Sequence, residues 1–160
     1  MSAHRPTIKP LLSETYVATI KNSVGVKTFQ QFFAMVNNRK KNIVRGGELS
    51  CAWFVSTLLH AGGLIRKPHT TVEATLKDMQ QSGWRRIRRA RPGCVILWAR
   101  VRYPDGQEHQ HLGFLIGVRR AVSNSSRTKV PQVHHWTFGR RGRKLYRPVT
   151  AMYWHPKLNS

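Results

Sequence analysis

The sequence predicts an α+β fold in which helices precede an antiparallel β-sheet. Up to residue 83, apolar residues recur largely at helical spacing. From residue 94 onward, short apolar and β-branched runs alternate with turn-forming or basic segments, which is typical of strands. This order of elements indicates the α+β class. A chain of 160 residues fits one domain and can bury a core without disulfides or a structural metal.

The first element is predicted to be helical. Residues 13–35 mix helical periodicity with a break near Gly25, which predicts two short helices joined by a turn. Residues 37–47, NNRKKNIVRGG, then predict a basic, turn-rich loop. Its glycine pair, Gly46 and Gly47, lets the backbone enter the next element tightly.

Two more helices are predicted before the sheet. Residues 50–61 are apolar nearly all round, which indicates a buried helix. Residues 71–82 form an amphipathic pattern with Thr70 or Thr71 as the N-cap. A glycine directly follows each of these patterns and is expected to end the helix.

The second half of the chain predicts the strands. Residues 94–101 and 111–117 flank the turn Pro104-Asp105-Gly106, and we expect them to form a hairpin. Further short strands are predicted at residues 121–124, 133–137 and 149–154.

The charge of the chain is strongly positive. There are 28 Lys and Arg against 6 Asp and Glu, a formal net charge of +22. Such a surface attracts nucleic acid, anionic wall polymers or acidic membranes without specificity. The basic residues fall mostly in predicted turns, so we interpret them as a solvated surface and expect non-specific binding to polyanions.

The N-terminal twenty residues contain no apolar run long enough for a signal peptide or a membrane span. We therefore expect no membrane span and cytoplasmic synthesis. Action at the cell wall or outside the cell would then require another delivery route.

The acidic residues and cysteines exclude several kinds of chemistry. The six acids fall in different predicted elements, which argues against glycosidases with paired carboxylates and against two-metal nucleases. Cys51 and Cys94 are too few for a disulfide scaffold and lack the spacing of a zinc site. We expect neither a metal nor a cofactor.

Cys51 opens the apolar helix LSCAWFVSTLL. A thiol at a helix N-terminus faces free backbone N–H groups and the positive end of the dipole, which lowers its pKa. Catalysis also needs a base, and His111 is predicted at the start of the strand HLGFLIG. From these residues alone, a nucleophile and a buried packing residue both stay open for Cys51.

Three segments in order resemble the papain-like cell-wall cysteine hydrolases of the NlpC/P60 and CHAP group: LSCAWFVSTLLHAGGLI, RPGCVILWARV and HLGFLIGVRRAVSNSS. The resemblance covers residues 49–126. It implies a papain-like fold with the nucleophile at a helix N-terminus packed on an antiparallel sheet. Residues 1–160 would form one catalytic domain, with its core at about 45–156 and a helical segment at 1–44. Cys51 would be the nucleophile, and His111 the general base and later acid.

The resemblance also implies a third polar residue, which orients the imidazole. Counting from His111, this position falls at Ser123 or Asn124. No acid follows Glu108, so an Asp or Glu is excluded downstream. Asn124 is preferred by analogy with a Cys-His-Asn arrangement, and Ser123 is the second choice. His134 and His135 are further candidates for orienting His111 or for contacting substrate.

Two details of the resemblance matter for the site. The family's PGD turn reads PGC here, and we expect Cys94 to be a buried strand residue. The Cys51 N–H is the natural donor to an oxyanion, and an upstream side chain commonly supplies a second donor. The candidates for this side chain are Tyr16, Asn37, Asn38 and Asn42.

The leading hypothesis is a cysteine amidase or endopeptidase that cleaves peptidoglycan amide bonds through a thioester acyl-enzyme. One alternative keeps the fold but acts on protein amides, as a deamidase or toxin does. Another is a non-enzymatic, basic nucleic-acid-binding protein in which Cys51 belongs to the core. Both enzyme hypotheses require a low-pKa thiol at Cys51, so from the sequence we expect slow reaction of Cys51 with iodoacetamide at neutral pH only if the protein is not an enzyme.

Overall fold

The computed structural model describes residues 5–159. Within these residues it has three α-helices, α1 (Leu12–Asn22), α2 (Cys51–Ala61) and α3 (Val72–Gln81), which precede the main sheet in the chain. The order confirms the α+β class. None of these helices combines the length and hydropathy that crossing a bilayer requires.

Helix α1 lies against the sheet through one face. Tyr16 and Ile20 are buried on that face, one turn apart. The Tyr16 hydroxyl donates to the Gly93 carbonyl at 3.0 Å, and its ring meets the edge of Phe114 with centroids 5.9 Å apart. These contacts fix α1 on the turn that precedes the central strands.

The prediction of a second N-terminal helix within residues 13–35 is wrong. A single 3-10 turn (Thr28–Gln30) is followed by a hairpin of β1 (Phe33–Val36) and β2 (Arg39–Asn42). Asn37 and Asn38 turn the hairpin with φ of 50° and 59°, a conformation that asparagine tolerates. Because this two-residue turn decides the structure, β2 occupies part of the predicted loop.

Helix α2 confirms the predicted buried helix. It ends with Gly62 as its C-cap. Ser50 precedes it, but the Ser50 hydroxyl donates to the Phe29 carbonyl and does not cap the helix. Helix α2 packs on the strands of the main sheet described below. Its buried residues are Ala52, Phe54, Val55, Ser56, Leu58 and Leu59.

Helix α3 begins where the sequence predicts. The Thr71 hydroxyl accepts from the Ala74 N–H at 3.2 Å and so caps the helix. Thr75 and Met79 are buried on its inner face.

The main sheet is antiparallel throughout and has six strands in the described residues. They are β3 (Arg85–Ile87), β4 (Val95–Arg102), β5 (Glu108–Gly117), β6 (Arg120–Asn124), β7 (Pro131–His135) and β10 (Val149–Trp154). The spatial order is β3-β10-β4-β5-β6-β7. Two short strands, β8 (Arg140–Arg141) and β9 (Lys144–Leu145), form a separate ribbon.

The predicted hairpin of β4 and β5 forms the middle of this sheet. Strand β5 begins at Glu108, three residues before the predicted start at His111. The longer strand follows from continued pairing with β4, down to Arg102 opposite Glu108. Helix α2 packs on β5, and this junction positions the candidate site.

Candidate active site

The chain turns sharply just before Cys51. Gly46 and Gly47 adopt φ of 67° and 105°, which L side chains rarely adopt. A Cβ at Gly47 would also lie 2.5 Å from the Lys129 carbonyl oxygen. These glycines allow α2 to start at Cys51, whose own N–H precedes the intrahelical hydrogen bonds.

The thiol of Cys51 is not the low-pKa group that its helix position predicts. Burial raises the pKa of Cys51, although backbone hydrogen bonding at Leu112 and the charge of Arg147 oppose the rise. Desolvation of the thiolate outweighs the helix N-terminus. Cys51 is therefore a thiol at neutral pH, while the residue keeps partial exposure.

His111 lies in the interior of β5 and not at its end. It pairs in register with Trp98 on β4, and its ring centroid lies 5.3 Å from that of Trp98. Burial lowers the pKa of His111 well below its ordinary value of 6.5, and the charges of Arg147 and His134 act in the same direction. His111 is therefore neutral at pH 7.

A chain of hydrogen bonds fixes which nitrogen of His111 carries the proton. The Nδ1 of His134 lies 2.8 Å from the His135 carbonyl, which only accepts, so this Nδ1 donates. Burial lowers the pKa of His134, which leaves its Nε2 as an acceptor for the Ser123 hydroxyl at 2.7 Å. Ser123 in turn accepts from the Nε2–H of His111 at 2.8 Å.

The consequence is a defined tautomer. His111 carries its proton on Nε2, so Nδ1 holds the lone pair. Within residues 5–159, Nδ1 makes no hydrogen bond. A nitrogen with a free lone pair can accept a proton from a thiol that comes within hydrogen-bond reach. In the described residues no hydrogen bond joins Cys51 to His111, and the two residues are related by the cavity that both line.

The contact predicted for Asn124 is not made, and Ser123, the second choice, holds that position. The Asn124 amide donates to the Gly47 carbonyl at 2.7 Å and ties β6 to the turn before α2. Adjacent residues of a strand point to opposite faces, so only one of the pair meets the imidazole.

The other two candidate histidines have different places. His134 acts on His111 through Ser123. His135 does not meet His111, since its Nδ1 lies 2.9 Å from the Thr137 hydroxyl. His135 contributes to the hydrogen-bond chain only through its backbone carbonyl, which accepts from His134.

Cys51 and His111 line one cavity of about 490 Å³. A smaller cavity of about 240 Å³ also has His111 in its lining, together with Ser123, His134 and Arg147 among others. The first cavity is also lined by Glu48, Glu73 and Glu108. The sequence shows these acids in separate elements and gives no signal that the fold brings them together.

Arg147 is a site residue that sequence reasoning missed. Its side chain is buried, with the residue only 8% exposed. Nε donates to the Ala99 carbonyl at 3.0 Å and Nη2 to the His109 carbonyl at 2.8 Å. Its charge favours the thiolate of Cys51 and disfavours the imidazolium of His111.

Aromatic rings hold the histidines in place. Trp98 is fully buried between the two imidazoles, and Phe138 stacks on His134 with centroids 4.0 Å apart. The Trp98 Nε1 donates to the Trp136 carbonyl at 2.6 Å. Trp98 therefore packs against both histidine rings from the core side.

None of the four side chains considered as oxyanion donors lines the cavity. Tyr16 donates to the Gly93 carbonyl, while Asn42 accepts from the Phe32 N–H and donates to the Gln30 carbonyl, in the segment just before β1. Asn37 and Asn38 form the hairpin turn. The backbone donors at the thiol are the N–H groups of the first turn of α2 together with the backbone at Leu112.

Cys94 is buried in the core, as predicted, but it lies one residue before β4 and not within the strand. In the part of the chain that the structure describes, no group of three His, Cys, Asp or Glu side chains is arranged to hold a metal ion.

Comparison with known proteins adds no assignment. No protein-family model matches the chain, and no curated protein matches it significantly. The geometry of the site and the three resembling segments therefore carry the functional argument.

Proposed function

We propose that this protein is a cysteine hydrolase that cleaves amide bonds, with Cys51 as nucleophile and His111 as general base. The observation that carries the proposal is the hydrogen-bond chain from His135 through His134 and Ser123. It leaves the lone pair of His111 on Nδ1, while the imidazole and the thiol line one cavity. The resemblance to papain-like hydrolases supports the same pairing.

The acylation step starts from an uncharged pair. The Cys51 Sγ attacks the carbonyl carbon of the amide while its proton passes to Nδ1 of His111. The imidazolium keeps its Nε2–H bond to Ser123, and the first N–H groups of α2 face the oxyanion. His111 then gives the proton to the leaving nitrogen as the C–N bond breaks, which releases the amine and leaves a thioester.

Deacylation uses the same groups in reverse roles. His111 takes a proton from water as the hydroxide oxygen bonds to the thioester carbon. The C–S bond then breaks, and the proton returns from His111 to the Cys51 thiolate. The product is a free carboxylic acid, and the enzyme is back in its starting state.

For the substrate we propose the peptide part of peptidoglycan. The resemblance to cell-wall hydrolases supports this substrate class. The net charge of +22 would hold the protein on anionic wall polymers.

The test compares wild-type protein with Cys51→Ala on purified peptidoglycan, with released muropeptides and new amines identified by mass spectrometry. We expect cleavage by the wild type only. Cys94→Ala is the matched control, because it removes the other thiol, and it should retain cleavage. Cleavage by Cys51→Ala would reject Cys51 as the nucleophile. No cleavage by folded wild type would reject peptidoglycan, and protein amides would be assayed next.

A further inference from the structure

The cavity beside Cys51 has a charge opposite to that of the whole molecule. Glu48, Glu73 and Glu108 line it, which is half of the six acidic residues in the chain. Of the 28 Lys and Arg, Arg100 alone lines the cavity in the described residues. A basic protein thus presents a cleft with more carboxylates than guanidinium groups.

These carboxylates come from three separate elements. Glu48 lies in the turn before α2, Glu73 in the first turn of α3 and Glu108 at the start of β5. All three are exposed, and none forms an ion pair with a Lys, Arg or His of residues 5–159. Their charges remain available to a ligand at the cavity.

A second observation comes from Asn124, which lines the same cavity and is only 2% exposed. Its Nδ2 must face the Gly47 carbonyl, because a carbonyl accepts and does not donate. Its Oδ1 is buried and has no hydrogen-bond partner among the described residues. Such an unsatisfied acceptor is rare and costly in a folded protein.

The carboxylates at the cavity accept hydrogen bonds, and the buried Asn124 oxygen beside it is a further unsatisfied acceptor, whereas an ammonium group only donates. Tyr103 adds an aromatic ring to the cavity lining, which also suits a cation. We propose that the cavity binds an alkylammonium group of the substrate peptide, next to the amide that Cys51 attacks. This inference rests on the proposed function for its substrate, a peptide.

The test measures binding to Cys51→Ala protein, so it does not depend on turnover. Three fluorescein-labelled acyl peptides that differ at one position, as lysine, norleucine or glutamate, are titrated by anisotropy. The net charge alone favours the glutamate peptide. We expect the lysine peptide to bind tightest, roughly fivefold tighter than the norleucine peptide, with the difference shrinking at high salt.

Charge-neutral variants locate the effect. In the Cys51→Ala background, Glu73→Gln and Glu108→Gln should each bring the lysine-to-norleucine ratio closer to one. Glu14→Gln is the matched control, because Glu14 is an exposed residue of α1 outside the cavity lining. Equal binding of the lysine and norleucine peptides, no binding of either, or the same effect from Glu14→Gln would overturn the proposal.

Two competitors distinguish the source of the ammonium group: a muropeptide with a diamino acid, and a lysine peptide of protein sequence. Stronger competition by the muropeptide would assign the group to the wall. Stronger competition by the lysine peptide would assign it to a protein. Cleavage by the wild type is scored separately, so a failure of catalysis and a failure of ammonium binding are distinguished.

Discussion

Burial sets the protonation states of the two side chains at the cavity, Cys51 and His111. It raises the pKa of the thiol and lowers that of the imidazole, so both are uncharged at neutral pH. A thiolate–imidazolium pair is therefore not the resting state, and the proton moves during the attack. The position of Cys51 at the helix N-terminus lowers its pKa, but burial raises that pKa by more.

The raised pKa of Cys51 predicts slow alkylation at neutral pH. The fast alkylation that the helix position alone leads one to expect of an enzyme is therefore not expected here, because burial keeps the proton on the sulfur until His111 accepts it. We expect iodoacetamide to modify Cys51 in the Cys94→Ala protein more slowly than free cysteine at pH 7. The rate should increase as the pH passes above the ordinary thiol pKa of about 8.5, because more thiolate then forms. Mass spectrometry of the peptide that contains Cys51 gives the rate at each pH. A plateau already reached at pH 7 would contradict the protonation state described here.

Ser123 links the two histidines, and its hydroxyl is predicted to position His111. Ser123→Ala removes the acceptor of the His111 Nε2–H. We expect kcat/KM for the amide substrate to fall roughly 10- to 100-fold. The pH dependence of kcat/KM should also change, because the tautomer of His111 is no longer fixed.

Ser125→Ala is the control for this variant. The Ser125 hydroxyl accepts from the Thr128 N–H and is not part of the hydrogen-bond chain between the histidines. Ser125→Ala should keep the rate and the pH profile of the wild type. An unchanged profile in Ser123→Ala would show that the serine only fills space.

At the scale of elements, β5 and β6 approach closely because of Gly113. A Cβ there would lie 2.6 Å from the Val122 carbonyl oxygen and 2.8 Å from Ser123 Cβ and from the ring of Trp98. The glycine of the HLGF motif therefore lets Trp98 and Ser123 both reach the imidazole. This requirement explains the motif in physical terms.

Gly113→Ala is expected to lower the free energy of unfolding by about 1–3 kcal/mol, because the methyl group overpacks the space beside Trp98. Urea denaturation followed by tryptophan fluorescence measures the change. Gly117→Ala is the matched variant on the same strand, since its Cβ meets nothing within 4 Å. Equal effects of the two substitutions would refute the packing argument.

The segment that leads into α3 is held by one buried carboxylate. Burial by itself would raise the pKa of Asp78, but hydrogen bonds from His69, the Arg66 N–H, Ser82 and the Lys67 N–H outweigh it and hold that pKa far below the ordinary value. The segment continues to Thr70 and Thr71, which line the cavity. Asp78 thus couples the stability of α3 to one wall of the site.

Asp78→Asn is expected to lower the free energy of unfolding by about 3 kcal/mol. Since the folded pKa lies below the unfolded value, the contribution of Asp78 is complete above about pH 4 and is lost as the pH falls toward the folded pKa. Denaturation curves at pH 7 and pH 3 should show a smaller gap between wild type and variant at pH 3. The same gap at both pH values would exclude the carboxylate as its cause.

For the whole molecule, local patterns in the sequence predicted which helices and strands form. They predicted less well which residues of these elements contact one another. The α+β order, α2, α3 and the β4–β5 hairpin follow from periodicity and from glycines that end helices. The hairpin of β1 and β2 was missed because its turn depends on two asparagines inside a segment that resembles a helix. Propensity at such a turn competes with periodicity, and periodicity alone misassigns it.

In the site, too, single residues were predictable from the sequence and their contacts were not. Cys51 and His111 are identifiable from short motifs, but Ser123 rather than Asn124 meets the imidazole because of strand alternation and register. Arg147 lies 36 residues after His111 in the chain and reaches it only through the sheet order β10-β4-β5. The cluster of Glu48, Glu73 and Glu108 likewise exists only in three dimensions.

The hydrogen-bond chain that crosses β5, β6 and β7 is the central claim, and the tautomer of His111 tests it most directly. Long-range ¹H–¹⁵N NMR spectra of the histidine rings at pH 7, assigned with His111→Gln, distinguish the two neutral forms and the imidazolium. We predict a neutral ring protonated on Nε2, with this preference lost in Ser123→Ala. A ring protonated on Nδ1, or a charged ring, would contradict the account.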